Sequence, residues 1–271
     1  IPELVGSTPN DEQRDVATAA NAIAAVFDNP IDDEILLLQP GSVIVSTGGA
    51  EIDITGLDYN SDTRTARFAI ADGLRAGTAY QLRIAAAIGA PRRQSDYTWD
   101  FHTAIPALTS VLPADKSVDI DIDIEEITVH FSAPIDSEQR TPANFTLLRQ
   151  GQPIELRAGD PVDRGDNTYG LAPAEGFAVG TRYDAQIAAA VSGPLGPGQI
   201  LSFSFITDVP ALIGTTPTAG DSSIIDLNAE IEALFDAPVD QTVLLTDGNV
   251  VLLACGEAMK IPTPAYAPTT N

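Results

Sequence analysis

Positive charge is scarce in this sequence. Against 38 Asp and Glu stand 14 Lys and Arg. A chain without a basic stripe cannot release counterions from phosphates, which excludes nucleic acid as a partner. Cysteine is nearly absent as well. Cys255 is alone, so no intrachain disulfide can form. No run approaches 18 apolar residues, so no membrane-spanning helix is written here. Trp99 is the single tryptophan and sits in a core-strand register, which counts against a row of exposed aromatics for carbohydrate. Gly-x-Ser-x-Gly, His-Glu-x-x-His and Walker-type loops are missing, and with them the best-marked enzyme classes.

What is present is a repeat. Phe27-Asp28-Asn29-Pro30-Ile31-Asp32 returns as Phe131-Ser132-Ala133-Pro134-Ile135-Asp136 and as Phe235-Asp236-Ala237-Pro238-Val239-Asp240. Both steps are 104 residues. Ile1-Pro2, Ile105-Pro106 and Val209-Pro210 keep the same step, as do Pro9, Pro113 and Pro217. Three landmarks in one register define a tandem repeat of a domain-sized unit. The expected domains are 1–104, 105–208 and an incomplete third, 209–271. The acidity belongs to the repeat, with net charges of −8, −9 and −7 in those segments. Its simplest reading is solvation in salty surroundings; a set of calcium sites is the alternative.

Short alternating segments separated by Gly and Pro predict about seven strands per unit and no helix. Asn21–Phe27 is Ala-rich and helix-like, but its repeat partner Ile127–Phe131 alternates as a strand. Ser42–Ser46 and Glu51–Thr55 read as strands across Gly48-Gly49, Thr78–Ile88 as one long strand, and Asp32 as the start of a turn. Val118–Ile124 alternates strictly, with Asp119, Asp121 and Asp123 on the wet side. The units join within one to three residues at Ala104-Ile105-Pro106, where proline stiffens the chain. A semi-rigid rod is expected.

Leu74-Arg75-Ala76-Gly77-Thr78-Ala79-Tyr80 pairs with Phe177-Ala178-Val179-Gly180-Thr181-Arg182-Tyr183. This is the layout of a tyrosine corner, in which the Tyr hydroxyl bonds back to the backbone. Together with Phe-x-x-Pro-Ile/Val-Asp and the closing Phe-x-Thr strand, the unit resembles the bacterial Ig-like domains found in tandem in surface-layer proteins and adhesins. That resemblance implies an all-β fold of tandem immunoglobulin-like sandwiches. It also implies an extracellular, cell-surface setting and a structural spacing or assembly role. An adhesive module for protein or carbohydrate, and an accessory region of a large secreted enzyme, are the alternatives. Partners would be neighbouring domains of the array or copies of the same chain, with a host or matrix ligand as a further class. The segments 34–63 and 138–168 differ most between copies and would carry any unit-specific contact.

No residue is nominated as catalytic, cofactor-binding or metal-ligating. His102 and His130 occupy steps filled by apolar residues in other copies, and with Cys255 they fall in three registers, against a zinc site. Asp32, Asp136 and Asp240 are read as turn residues bonding backbone N–H groups. Calcium is the alternative there, helped by Asp28, Asp33, Glu34 and Asp236 and weakened by Ser132. The chain opens on the first residue of a repeat, as expected of a cut between domains or a mature fragment. Asn271 falls opposite Thr63, so the third unit lacks half its strands. A fragment of a longer array, a compact alternative fold, and completion by strand exchange are the three outcomes, the first preferred.

Overall fold

A computed structural model describes residues 1–89, 93–220, 230–236, 239, 244, 246, 249–254, 257–259 and 265. Pro238, Asp240, Val243, Leu245, Cys255 and Asn271 lie outside the described residues. The first unit carries β1 (Leu4–Thr8), β2 (Gln13–Val16), β3 (Ala22–Phe27), α1 (Asp33–Leu38), β4 (Val43–Thr47), β5 (Ala50–Ile52), β6 (Ile54–Asn60), β7 (Thr65–Ile70), β8 (Ala79–Ile84) and β9 (Tyr97–Thr103). The second carries β10 (Leu108–Leu112), β11 (Ser117–Ile120), β12 (Ile127–Phe131), β13 (Phe145–Arg149), β14 (Gln152–Ile154), β15 (Val162–Gly165), β16 (Thr168–Leu171), β17 (Arg182–Ile187) and β18 (Leu201–Thr207).

Each unit is a sandwich of a four-stranded and a five-stranded sheet. The orders are β1-β3-β7-β6 and β2-β9-β8-β4-β5, then β10-β12-β16-β15 and β11-β18-β17-β13-β14. Strand for strand the two units correspond, and the pairing registers agree. Leu4 faces Phe27 with a bulge before Gly6, and Leu108 faces Phe131 with a bulge before Ser110. The third copy begins the same way. Its β19 (Leu212–Thr216) and β20 (Glu232–Phe235) pair Leu212 with Phe235 and bulge before Gly214. A hairpin of β21 (Leu252–Ala254) and β22 (Glu257–Met259) follows.

Period-2 burial explains the strands. On β3, Ile23, Ala25 and Phe27 point inward, and on β12 Ile127, Val129 and Phe131 do so. Each unit has its own apolar core, and the two cores share no residue. Phe27 meets Tyr97 edge-on at 5.1 Å, and Phe131 meets Tyr169 at 6.0 Å. Trp99 is inside the first core, in the strand register expected of it.

Among the described residues the strand count is nine per unit rather than about seven, for local reasons. The opening segment divides between the two sheets, as β1 and β2, on either side of Pro9. Glu51–Thr55 is likewise not one strand, because β5 and β6 belong to opposite sheets. Thr78–Ile88 stops at Ile84, and Ala86–Gly89 forms a 3-10 turn. Strict alternation over 118–124 fails because Asp119 adopts a left-handed φ of 56°, which Asp tolerates better than most residues. The register on β18 slips there, and Val118 turns outward. A short helix, α1, was not expected. Asp32 caps it by accepting the Ile35 N–H at 3.0 Å, and Leu36 anchors it in the core.

Tyr183→Phe removes the acceptor for the Ala178 N–H while sparing the buried ring. Urea unfolding of the full chain should show a loss of about 1–3 kcal/mol. Phe131→Ala, which empties the core, should cost about 3–5 kcal/mol.

Candidate functional site: the joint between the units

The corner turn that closes each unit is held by three hydroxyls. Tyr80 Oη accepts the Arg75 N–H at 2.7 Å, and Tyr183 Oη accepts the Ala178 N–H at 2.8 Å. Thr103 Oγ1 accepts the Thr78 N–H at 2.9 Å and donates to the Arg75 carbonyl at 2.6 Å. Thr207 repeats both bonds with Thr181 and Ala178 at the same distances. Thr78 and Thr181 add bonds to the carbonyls of Ala76 and Val179. The turn glycines, Gly77 and Gly180, share a φ of 54°. Burial pushes the Tyr80 hydroxyl above its ordinary value, so it stays protonated.

The first corner is covered by the second unit. The Ala76 N–H donates to Asp136 Oδ1 at 2.9 Å, across 60 positions of sequence. The Leu195 N–H donates to the Gly77 carbonyl at 2.7 Å. Two glycines make this approach feasible. A Cβ on Gly77 would stand 2.2 Å from the Ser192 carbonyl, and one on Gly193 would stand 2.2 Å from the Ala76 carbonyl. Arg75 and Glu138 pair at 3.5 Å, but both are exposed, so water screens the bond. Ala76 is 1% exposed, whereas its counterpart Val179 is half-buried.

The linker is fixed at both ends. The Ala104 carbonyl accepts from the Gly77 N–H at 2.8 Å, and the Ala104 N–H donates to Val16. Two residues later, the Pro106 carbonyl accepts from Ser192 Oγ at 3.0 Å. Between these anchors the Ile105 carbonyl accepts from Ser132 Oγ at 3.3 Å. This geometry sets one unit against the next.

The turn reading holds for Asp32, which bonds a local N–H, but not for Asp136, whose side chain makes no bond within its own turn. Asp32 caps its own helix, and Asp136 crosses the joint. Asp28, Ser132 and Asp236 share one structural task. Each accepts the N–H that begins its first strand, from Glu3, Ala107 and Ala211. That bond holds the Asp28 carboxyl below its ordinary value. His130 Nδ1 lies 2.9 Å from Thr168 Oγ1, and His102 is half-buried on β9. Among the described residues no three His, Cys, Asp or Glu side chains gather as metal ligands.

The second joint begins like the first, with Gly180 N–H on the Asp208 carbonyl at 2.7 Å, but its charges differ. Asp208 replaces Ala104, Asp121 replaces Ala17, and Ala178 replaces Arg75. Burial, then the charges of Asp121, Asp119 and Asp236, push the Asp208 carboxyl above its ordinary value.

A family model described as a bacterial Ig-like domain matches residues 1–103 and again residues 102–207. No curated protein matches the chain. The N-terminal part of the bacterial S-layer protein SbsC aligns at 12% identity and a TM-score of 0.30, over 75% of this chain and 44% of its own. Domains 1-6 of surface layer protein SbsC align at 10% identity and 0.29, over 79% and 27%. CopC from Methylosinus trichosporium OB3b aligns at 13% identity and 0.28, over 38% and 94%. The chain spans less than half the length of these S-layer chains.

Two outcomes follow from the joint. Gly193→Ala places a methyl against the Ala76 carbonyl, at a φ of 73° and ψ of 177°, a region essentially reserved for glycine that itself costs about 1–3 kcal/mol. Amide exchange at Ala76 should accelerate while core amides such as Phe131 and Phe205 keep their protection. Asp208 binds its proton more tightly folded than unfolded, so its charge destabilises the folded chain at neutral pH, and the penalty vanishes as pH falls below 3.8. Asp208→Asn should therefore raise the urea midpoint at pH 7 and leave it unchanged relative to the parent below that value.

Proposed function

Because this chain belongs to the bacterial Ig-like domain family, we propose that it is a spacing segment of an acidic extracellular surface protein. Its units set a fixed distance and direction between whatever lies at either end. The observation that carries this reading is the joint. Both residues flanking Ile105 are pinned, and Ala76, Gly77, Asp136, Gly193 and Leu195 lock one unit onto the next. A joint used only as a tether needs none of these contacts. The net charge of −24 supports solubility at high salt outside the cell, where like-charged surfaces are screened.

Small-angle scattering of the full chain tests the spacing role. A longest dimension that stays constant from low to high salt is expected, with Asp136→Ala plus Gly193→Ala broadening the distribution. A salt-dependent dimension in the parent would contradict it. The surface assignment is tested by treating intact source cells with protease, which should remove the chain without lysis.

A further inference from the structure

The acceptor that crosses the joint has a twin at the opposite end of the first unit. Resting on the spacer reading above, we propose that the pole formed by Asp32, Leu37 and Leu38 receives the corner turn of a preceding Ig-like unit. In that contact Asp32 accepts a backbone N–H as Asp136 accepts that of Ala76.

Asp32 and Asp136 occupy the same step of the repeat, each five residues beyond the phenylalanine that ends β3 or β12. The Asp32 N–H is fixed on the Ile88 carbonyl at 2.8 Å, and Oδ1 caps Ile35 at 3.0 Å. Among the described residues Oδ2 accepts nothing, so one oxygen is free for a donor. The chain's entrance to this pole is also clamped. Tyr97 Oη donates to the Pro2 carbonyl at 2.8 Å, as Ser192 Oγ donates to Pro106. A unit ahead of Ile1 is thus delivered to Asp32 along the line by which the first unit reaches Asp136.

The surroundings are modified for a different fit. α1 presents Leu37, 44% exposed, and Leu38, 77% exposed, at steps where the second unit has Thr141 and Pro142. The preceding turn rests on these leucines.

The test joins a further copy of residues 1–104 ahead of Ile1 of the full chain. That copy carries Asp72→Glu in an exposed turn, so that its peptides are distinguishable by mass. Amide exchange is read at its corner turn, residues 74–79. The turn should be protected, and Asp32→Ala in the following unit should speed its exchange by about tenfold, with Leu37→Ser plus Leu38→Ser doing the same. Free exchange of the appended turn, or protection that survives these changes, would overturn the proposal, as would protection that depends on protein concentration. Asp136→Ala, read at the native corner, separates the two ideas. If it leaves that corner protected, the spacer reading fails whatever happens at Asp32.

Discussion

A buried threonine on the last strand of each unit holds the corner turn in shape. Thr103 and Thr207 each accept one backbone N–H and donate to one carbonyl of that turn, and they are 1% and 0% exposed. An unpaired backbone group at such depth is costly, so the hydroxyls fix the turn's geometry. The tyrosine ring beside them stacks in the core, at 5.2 Å on Phe101 in one unit and 5.4 Å on Phe205 in the other. From this turn the rest follows. Its outward N–H and carbonyl are the groups that Asp136 and Leu195 engage, and its glycine N–H pins the departing linker.

The repeat preserves bonds more faithfully than residues. The Pro2 carbonyl is satisfied by Tyr97, and a Cβ on Gly89 would come 3.0 Å from that hydroxyl. At the same steps the second unit has Leu201 and Ser192, and Ser192 supplies the hydroxyl itself. Asp28 and Ser132 likewise bond the same strand N–H with different chemistry. The Asp-to-Ser change therefore preserves a backbone acceptor.

Much of the fold was legible because strands with one buried face alternate. Asn21–Phe27 is legible as a strand only through its partner copy, since six apolar residues in a row have no period of their own. The tyrosine corner was legible from the spacing of Leu74, Gly77 and Tyr80. What escaped depended on distant partners or single dihedrals. Nothing local marks Asp119 as left-handed, and nothing in Pro134-Ile135-Asp136 says that its acceptor role is spent on Ala76. Gly193 carries no local mark in the sequence. Its pairing with Gly77 becomes visible only when the backbones meet. The helix α1 was hidden because Pro30 and Asp32 read as a turn, and the second unit has only a 3-10 turn at Ser137–Gln139.

These contacts make the joint a structural element with its own buried contacts, and the central claim is that the two units hold a single relative orientation. Pulsed electron resonance between spin labels at Gln81 and Gln186, on outward faces of β8 and β17, measures this directly in a full chain carrying Cys255→Ser. A single narrow distance distribution is predicted, broadened by Gly193→Ala. A broad distribution in the parent, unchanged by that substitution, would contradict the account.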